Sequence, residues 1–230
     1  MAGNEGRETA APMYFALIGD IVASRHLPDR ARVQQELQDT IQELNQELAD
    51  GFTTPLRLTG GDELQGLLAQ PDLLVDVMVS TADALHPVEL RWGLGRGGLD
   101  TPLSADVTIL DGPCLHLARD ALEVAKKTER WLGVRGLEEP HGRVLEALLE
   151  VLRALRSGWT ETRARYVREA RGRQQREVAA RLGVSKQAVQ QALSAAHFPT
   201  VLEAEDAARD LLRWVASESP DTTTAPVEAP

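Results

Sequence analysis

One cysteine, Cys114, stands in the whole chain, so no internal disulfide can form, and that usage suits a reducing cytoplasm. Long apolar runs are missing too: nothing approaches the roughly 20 residues that a membrane helix needs. A hydrophobic content of 43% with 26% charged residues is ordinary for a soluble globular protein, so no membrane partner is expected. The opening residues MAGNEGRETAAP lack the apolar stretch of a secretory signal and read as an unstructured tail over 1–12. No period of roughly 20 to 50 residues recurs, which excludes a solenoid or other repeat array.

A basic excess is also lacking overall, since the net charge is -10. Its distribution matters more than its sum. Residues 1–150 carry thirteen Lys and Arg against twenty-five Asp and Glu; residues 151–198 carry ten against three; residues 199–230 carry two against seven. One basic segment on an acidic body is the asymmetry of a nucleic-acid binding module joined to something else.

What is present begins with MYFALIGD, Met13 to Asp20, a short apolar run that reads as a buried strand. From Asp29, the stripe Val33, Leu37, Ile41, Leu44 and Leu48 predicts a helix, started by Pro28 and Asp29 and stopped near Gly51. PLRLT and ELQGLLA flank Gly60, Gly61 and Asp62, the turn chemistry of a tight hairpin. A second amphipathic helix spans Pro71 to Leu85, and Val88 to Gly98 reads as a strand running into a glycine-rich loop. A helix over Asp111 to Lys127 and a short strand within Arg130 to Leu137 follow.

Strand, helix, hairpin, helix, strand is the order of a ferredoxin-like split βαβ, βαββαβ. From about Pro140 the pattern is purely helical. The expected architecture is therefore α+β: a sheet domain over 13–138, an all-α domain over 139–215, and an unstructured end over 216–230.

Within the helical part, QREVAARLGVSKQAVQQAL has helix-turn-helix spacing. Ala179 is small enough for two helices to approach, Gly183 permits a sharp turn, and Val178, Leu182, Val184, Val189 and Leu193 fill the joint core. Ser185 stands at an N-cap position, ahead of Lys186, Gln187, Gln190 and Gln191, side chains suited to base edges and phosphates. Arg173, Gln174 and Arg181 flank them, within a stretch holding nine arginines from Arg153 to Arg181, so double-stranded DNA is the expected partner. The plainer alternative is a small helical hairpin used for packing or for protein contacts. The last helix, His197 to Val215, with Leu202, Ala208, Leu211, Leu212 and Val215 on its apolar side, either closes this domain or makes a homodimer.

In a split βαβ sheet the strand ending at Asp20 lies beside the hairpin that carries Asp62 and Glu63. Carboxylates there are hard ligands of the kind Mg or Mn takes, with phosphate oxygens and waters completing the shell. The loop IVASR, with Ser24 and Arg25, offers backbone N–H groups and polar side chains to a phosphate chain. The ordinary alternative for each acid is a capped strand end or a polar turn tip. His116 alone reads as a hydrogen-bonded histidine and Cys114 as buried and inert.

ALIGDIVASR, LTGGDELQGLL and DGPCLHLARDALEVAKK together resemble the signature stretches of the bacterial SatD family. That resemblance implies a palm-like domain joined to a DNA-binding tail. GGDE is also similar to the GGDEF hairpin of diguanylate cyclases, and GDIVAS to the first metal-binding loop of class III nucleotide cyclases. Those likenesses imply Asp20 and Asp62 as metal ligands with Glu63 in support, the carbonyl of Ile21 assisting, and Gly60, Gly61 and Arg119 beside a nucleotide. The later Asn and Asp pair of diguanylate cyclases is missing, and GPCLHLAR offers only His116 and Arg119 where class III cyclases place an Asn and an Arg.

The expected function is thus a DNA-binding regulator whose palm-like domain binds a metal-nucleotide ligand and modulates the helix-turn-helix. The competing expectations are a nucleotidyl cyclase or transferase using two Mg ions, and an adaptor whose palm is only a scaffold.

Overall fold

A computed structural model describes residues 12–60 and 62–218 of the chain. It is a mixed α+β structure with one five-stranded sheet. The first strand, β1 (Tyr14–Ile21), leads to α1 (Arg30–Glu47), which begins where the Asp29 side chain accepts from the Arg32 N–H at 3.1 Å. The hairpin β2 (Phe52–Thr59) and β3 (Glu63–Leu68) follows, turning at Gly60 with φ +61. Next come α2 (Leu73–Ala84), β4 (Leu90–Gly97), α3 (Pro113–Lys127) and β5 (Leu132–Arg135).

Strands are ordered β2-β3-β1-β4-β5, antiparallel throughout except for the parallel β4·β5 pair. The first four reproduce the split βαβ order expected of the sequence.

Alternation along β1 divides the core. Phe15, Leu17 and Ile21 join one apolar cluster with the α1 stripe Val33, Leu37, Ile41 and Leu44 and with α2. Tyr14, Ala16 and Ile18 face the other way, with Leu115, Ala118 and Leu122 of α3. Each fully buried aliphatic side chain of this kind contributes roughly 1.5–3 kcal/mol. Asp20 shares the parity of Tyr14, Ala16 and Ile18, and so stands on the α3 face.

The glycines expected to form a loop after the strand are instead inside it. Gly93, Gly95 and Gly97 alternate along β4 on the face that α3 covers, and the missing side chains are what let α3 come so close. A Cβ on Gly95 would lie 2.2 Å from the Ala118 nitrogen, and one on Gly93 2.0 Å from the Ala118 carbonyl oxygen.

Five helices complete the described residues: α4 (His141–Ser157), α5 (Glu161–Ala170), α6 (Gln175–Leu182), α7 (Lys186–Ala195) and α8 (Phe198–Ser217). Their buried residues join the α1/α2-side cluster, so one apolar core runs from the sheet into the helical part. The α8 helix extends two residues into the stretch expected to be an unstructured end; the rest of that stretch, and the N-terminal tail up to residue 11, lie outside the described residues.

The inner face of α8 differs from expectation. Val201, Glu205, Ala208, Leu212 and Val215 are buried, while Leu202 and Leu211 are only half-buried. The displaced assignment traces to Glu205, an acid at 1% exposure. Both nitrogens of the Arg171 fork donate to its carboxylate, at 2.8 and 2.9 Å, and Arg171 also bonds Asp83 of α2. Asp83 in turn accepts from Arg156 of α4 at 2.6 Å. Burial disfavours the Arg171 cation, but these partners outweigh it and raise its pKa.

Two further pairs, Arg209 with Asp76 at 2.9 Å and Arg213 with Asp72 at 2.8 Å, tie α8 to α2 and to its N-cap.

Candidate functional site

The antiparallel register sets Glu63 of β3 and Arg91 of β4 on either side of Asp20. Directly opposite residues in antiparallel strands project to the same face, so a row Glu63, Asp20, Arg91 crosses the α3 side of the sheet. Above it, α3 presents Arg119 and Lys126, seven residues apart and so on one helical face. Arg119 donates to both Glu63 oxygens at 2.9 Å, and the Lys126 ammonium lies 3.0 Å from Asp20 and 3.3 Å from Glu123.

Electrostatics follow from those pairs. Burial pushes the Glu63 carboxyl up, but hydrogen bonds from Arg119 and Gln65 together with nearby positive charge overcome it and hold the group below its ordinary value. Arg119 is raised, first by its bonds to Glu63. Burial works against the Lys126 ammonium, yet Asp20 and Glu123 carry its pKa upward.

Asp62 occupies the hairpin tip, one residue before the register begins, with Arg30 of α1 at 3.6 Å. The structure thus pairs Asp20 most directly with Glu63 rather than Asp62. Ile21 ends β1 with its side chain buried; Ala23 has a left-handed φ of 53; Ser24 and Arg25 lie in the short 3-10 turn behind it, half-buried and exposed. Gly60 is at the tip, and Gly61 lies outside the described residues.

The carboxylates are chemically suited to Mg or Mn. Among the described residues, however, no group of three or more His, Cys, Asp or Glu is placed to hold a metal ion. Asp20 and Glu63 already have cationic partners, which a metal would have to replace. Sequence reasoning missed Arg91 and Lys126; the signal was present in the seven-residue spacing from Arg119 to Lys126.

Neither remaining α3 candidate joins this row. His116 is an exposed histidine bonded to Asp111 at 2.7 Å. Cys114 is fully buried, and burial pushes its thiol up to about 11.

In the helical part, α6 and α7 meet through a short turn. Gly183 adopts φ 66, a left-handed conformation that an L side chain resists. The Ser185 hydroxyl accepts from the Ala188 N–H at 3.1 Å, which opens α7. Val178 and Val189 are fully buried between the helices and Ala179 nearly so. The outer face of α7 shows Lys186, Gln187, Gln190 and Gln191, all exposed.

The basic flank is less free than its composition suggests. Arg181 donates to Glu169 at 2.8 Å and Arg173 stands 3.6 Å from the same carboxylate, which the Arg181 hydrogen bond holds below its usual pKa. Arg171 is committed to the buried network. Among the described residues, no ion pair involves Arg165, Arg176 or Lys186. Gln174 is exposed at the start of α6, where its N–H meets Glu177 at 3.3 Å.

Among the described residues, no helix is long and apolar enough to cross a membrane. No curated protein matches the sequence. A solved structure of a bacterial light-regulated adenylyl cyclase is similar over 52% of this chain and 73% of that chain, at 13% identity and a TM-score of 0.41. So slight a likeness leaves the topology resting on this chain's own strand pairing. The SatD family model matches residues 14–212, from the first strand to the last helix, and the chain belongs to the SatD family.

Proposed function

We propose that this SatD family member is a DNA-binding regulator. The carrying observation is the pair α6 and α7: a left-handed glycine turn, a serine-capped second helix, and an outer face of one lysine and three glutamines with no hydrogen-bonded partner among the described residues. Side chains of that type on an exposed helix suit the major groove. Arg165, Arg176 and Lys186 supply phosphate contacts, and Arg173 and Arg181 do so by exchanging Glu169 for phosphate.

The palm-like part is the sensing half of this reading. Its row of carboxylates under α3 cations balances charge internally. A metal-nucleotide brings both a cation and phosphate anions, so it matches the two sets at once. Asp20, Glu63 and Asp62 would hold the metal, and Arg119, Lys126 and Arg25 would face phosphate, with the Ser24 turn and the Gly60 tip framing the ligand. The buried chain Glu205, Arg171, Asp83, Arg156 supplies a rigid connection between α2, beneath the sheet, and the helices that carry α7.

A thermal-shift series with each nucleoside triphosphate and Mg²⁺ or Mn²⁺, on wild type and Asp20→Ala, tests the sensing half. A rise in melting temperature confined to wild type supports it. No rise with any nucleotide contradicts it, and release of pyrophosphate assigns the site to a nucleotidyl cyclase or transferase instead.

A further inference from the structure

The α4 helix carries two apolar faces. Leu145, Leu149 and Leu152 point into the core, as one amphipathic helix requires. A second stripe, Val144, Ala147, Val151 and Ala154, repeats at three and four residues on the outside, with Val144 at 46% and Val151 at 59% exposure. Packed against α4, α8 carries Ala204, Ala207, Leu211 and Trp214 at the same spacing; Ala207 is exposed and Trp214 is 46% exposed, while Ala204 and Leu211 are half-buried at the edge of the core. His141 joins the two stripes, for its ring meets Trp214 edge-on at 4.5 Å and Val144 lies one turn further along α4.

Large apolar side chains grouped this way on the outside of a helix pair mark an interaction surface. We propose that the chain self-associates through it, α4 and α8 of one copy packing on α4 and α8 of a second to form a four-helix bundle.

A second copy is the occupant for two reasons. Three- and four-residue spacing on both helices suits the ridges and grooves of another helix pair, and a two-fold axis sets each stripe against one. The flanking charges are also complementary: exposed Glu203, which has no ion pair among the described residues, borders the α8 stripe beside Asp206 and Asp210, paired within the helix to Arg209 at 2.8 Å and Arg213 at 3.0 Å, while Arg143, 75% exposed, borders the α4 stripe and meets Glu139 only at 4.0 Å. Two-fold packing of α4 on α8 brings Arg143 toward Glu203 of the other copy. The same acids disfavour an anionic membrane surface or nucleic acid on this face. Small residues at 147, 154 and 207 permit the close approach of such bundles.

Sedimentation velocity across about 1 to 100 µM chain, without DNA, tests the inference at concentrations where a bundle of modest affinity forms. Wild type is expected to reach twice the chain mass. Val144→Glu with Val151→Glu is expected to remain monomeric, with an unchanged circular dichroism spectrum because both positions are exposed. Ala154→Arg, a single change on the same stripe, is expected to weaken association at least tenfold. A wild-type monomer at every concentration overturns the inference, as does a dimer that persists in both variants. With no DNA in the cell, failure here leaves the DNA reading standing, and absence of DNA binding leaves the mass measurement intact.

Discussion

Asp20 and Glu63 face each other across β1 and β3, and each is held from above by a different cation of α3, Lys126 and Arg119. Two like charges set side by side in a sheet repel, so the row depends on α3 for its neutrality. The same dependence makes it a place where an incoming ligand changes partners.

Acid should weaken this clasp in a defined direction. The folded Glu63 carboxyl titrates below its ordinary value. Its contribution is therefore complete above the unfolded pKa and is lost as pH falls through the folded one. Glu63→Gln is expected to cost about 1 kcal/mol at pH 7, the scale of a well-formed, half-exposed ion pair. Urea unfolding should show that difference shrinking as pH falls below the ordinary carboxylate range; a difference that grows in acid would reverse the assignment.

The buried network should tolerate less. Glu205→Ala takes two charge-assisted hydrogen bonds from the Arg171 guanidinium, which keeps Asp83 as its remaining partner. A loss of about 1.5–3 kcal/mol is expected from the lost charge-assisted bonds. Chemical denaturation measures it, and a cost under about 1 kcal/mol would mean that the network is dispensable.

Glycines in two settings should respond differently. Gly95→Ala drives a methyl into the α3 backbone and is expected to cost about 3 kcal/mol by overpacking. Gly60→Ala meets no atom within 4 Å and carries only the strain of its positive φ, about 1 kcal/mol. Equal losses in thermal unfolding would contradict the close seating of α3 on β4.

Arginines of the basic segment should separate by their partners. Arg176→Ala and Lys186→Ala are each expected to lower the slope of log affinity against log salt by about 0.9, one phosphate contact apiece. Arg171→Ala should instead destabilise the fold, and unfolding titrations run beside the salt series will tell the two effects apart. An unchanged slope in both Arg176→Ala and Lys186→Ala would remove α6 and the start of α7 from the DNA interface.

Local patterns were the legible part of the fold. Strand order followed from the element sequence, the α1 start from Asp29, the hairpin from Gly60 and its neighbours, and the α6–α7 turn from Gly183 and Ser185. What escaped depends on distant partners. Alternating glycines in β4 read as a loop because the reason for them, the approach of α3, is not local. Glu205 was missing from the expected inner side of the last helix because its partner Arg171 is 34 residues away. Asp20 was matched with Asp62 rather than Glu63 because a one-residue change of register alters which side chain lies opposite.

Fluorescence anisotropy of a labelled duplex, titrated at low salt with and without Mg²⁺-nucleoside triphosphate, tests most directly whether the sheet site governs the DNA-facing helices. The account predicts that wild type binds duplex, that the ligand changes the affinity at least fivefold, a coupling of about 1 kcal/mol, and that Asp20→Ala binds duplex without responding to the ligand. Absence of duplex binding, or an affinity that the ligand leaves unchanged in wild type, would contradict it.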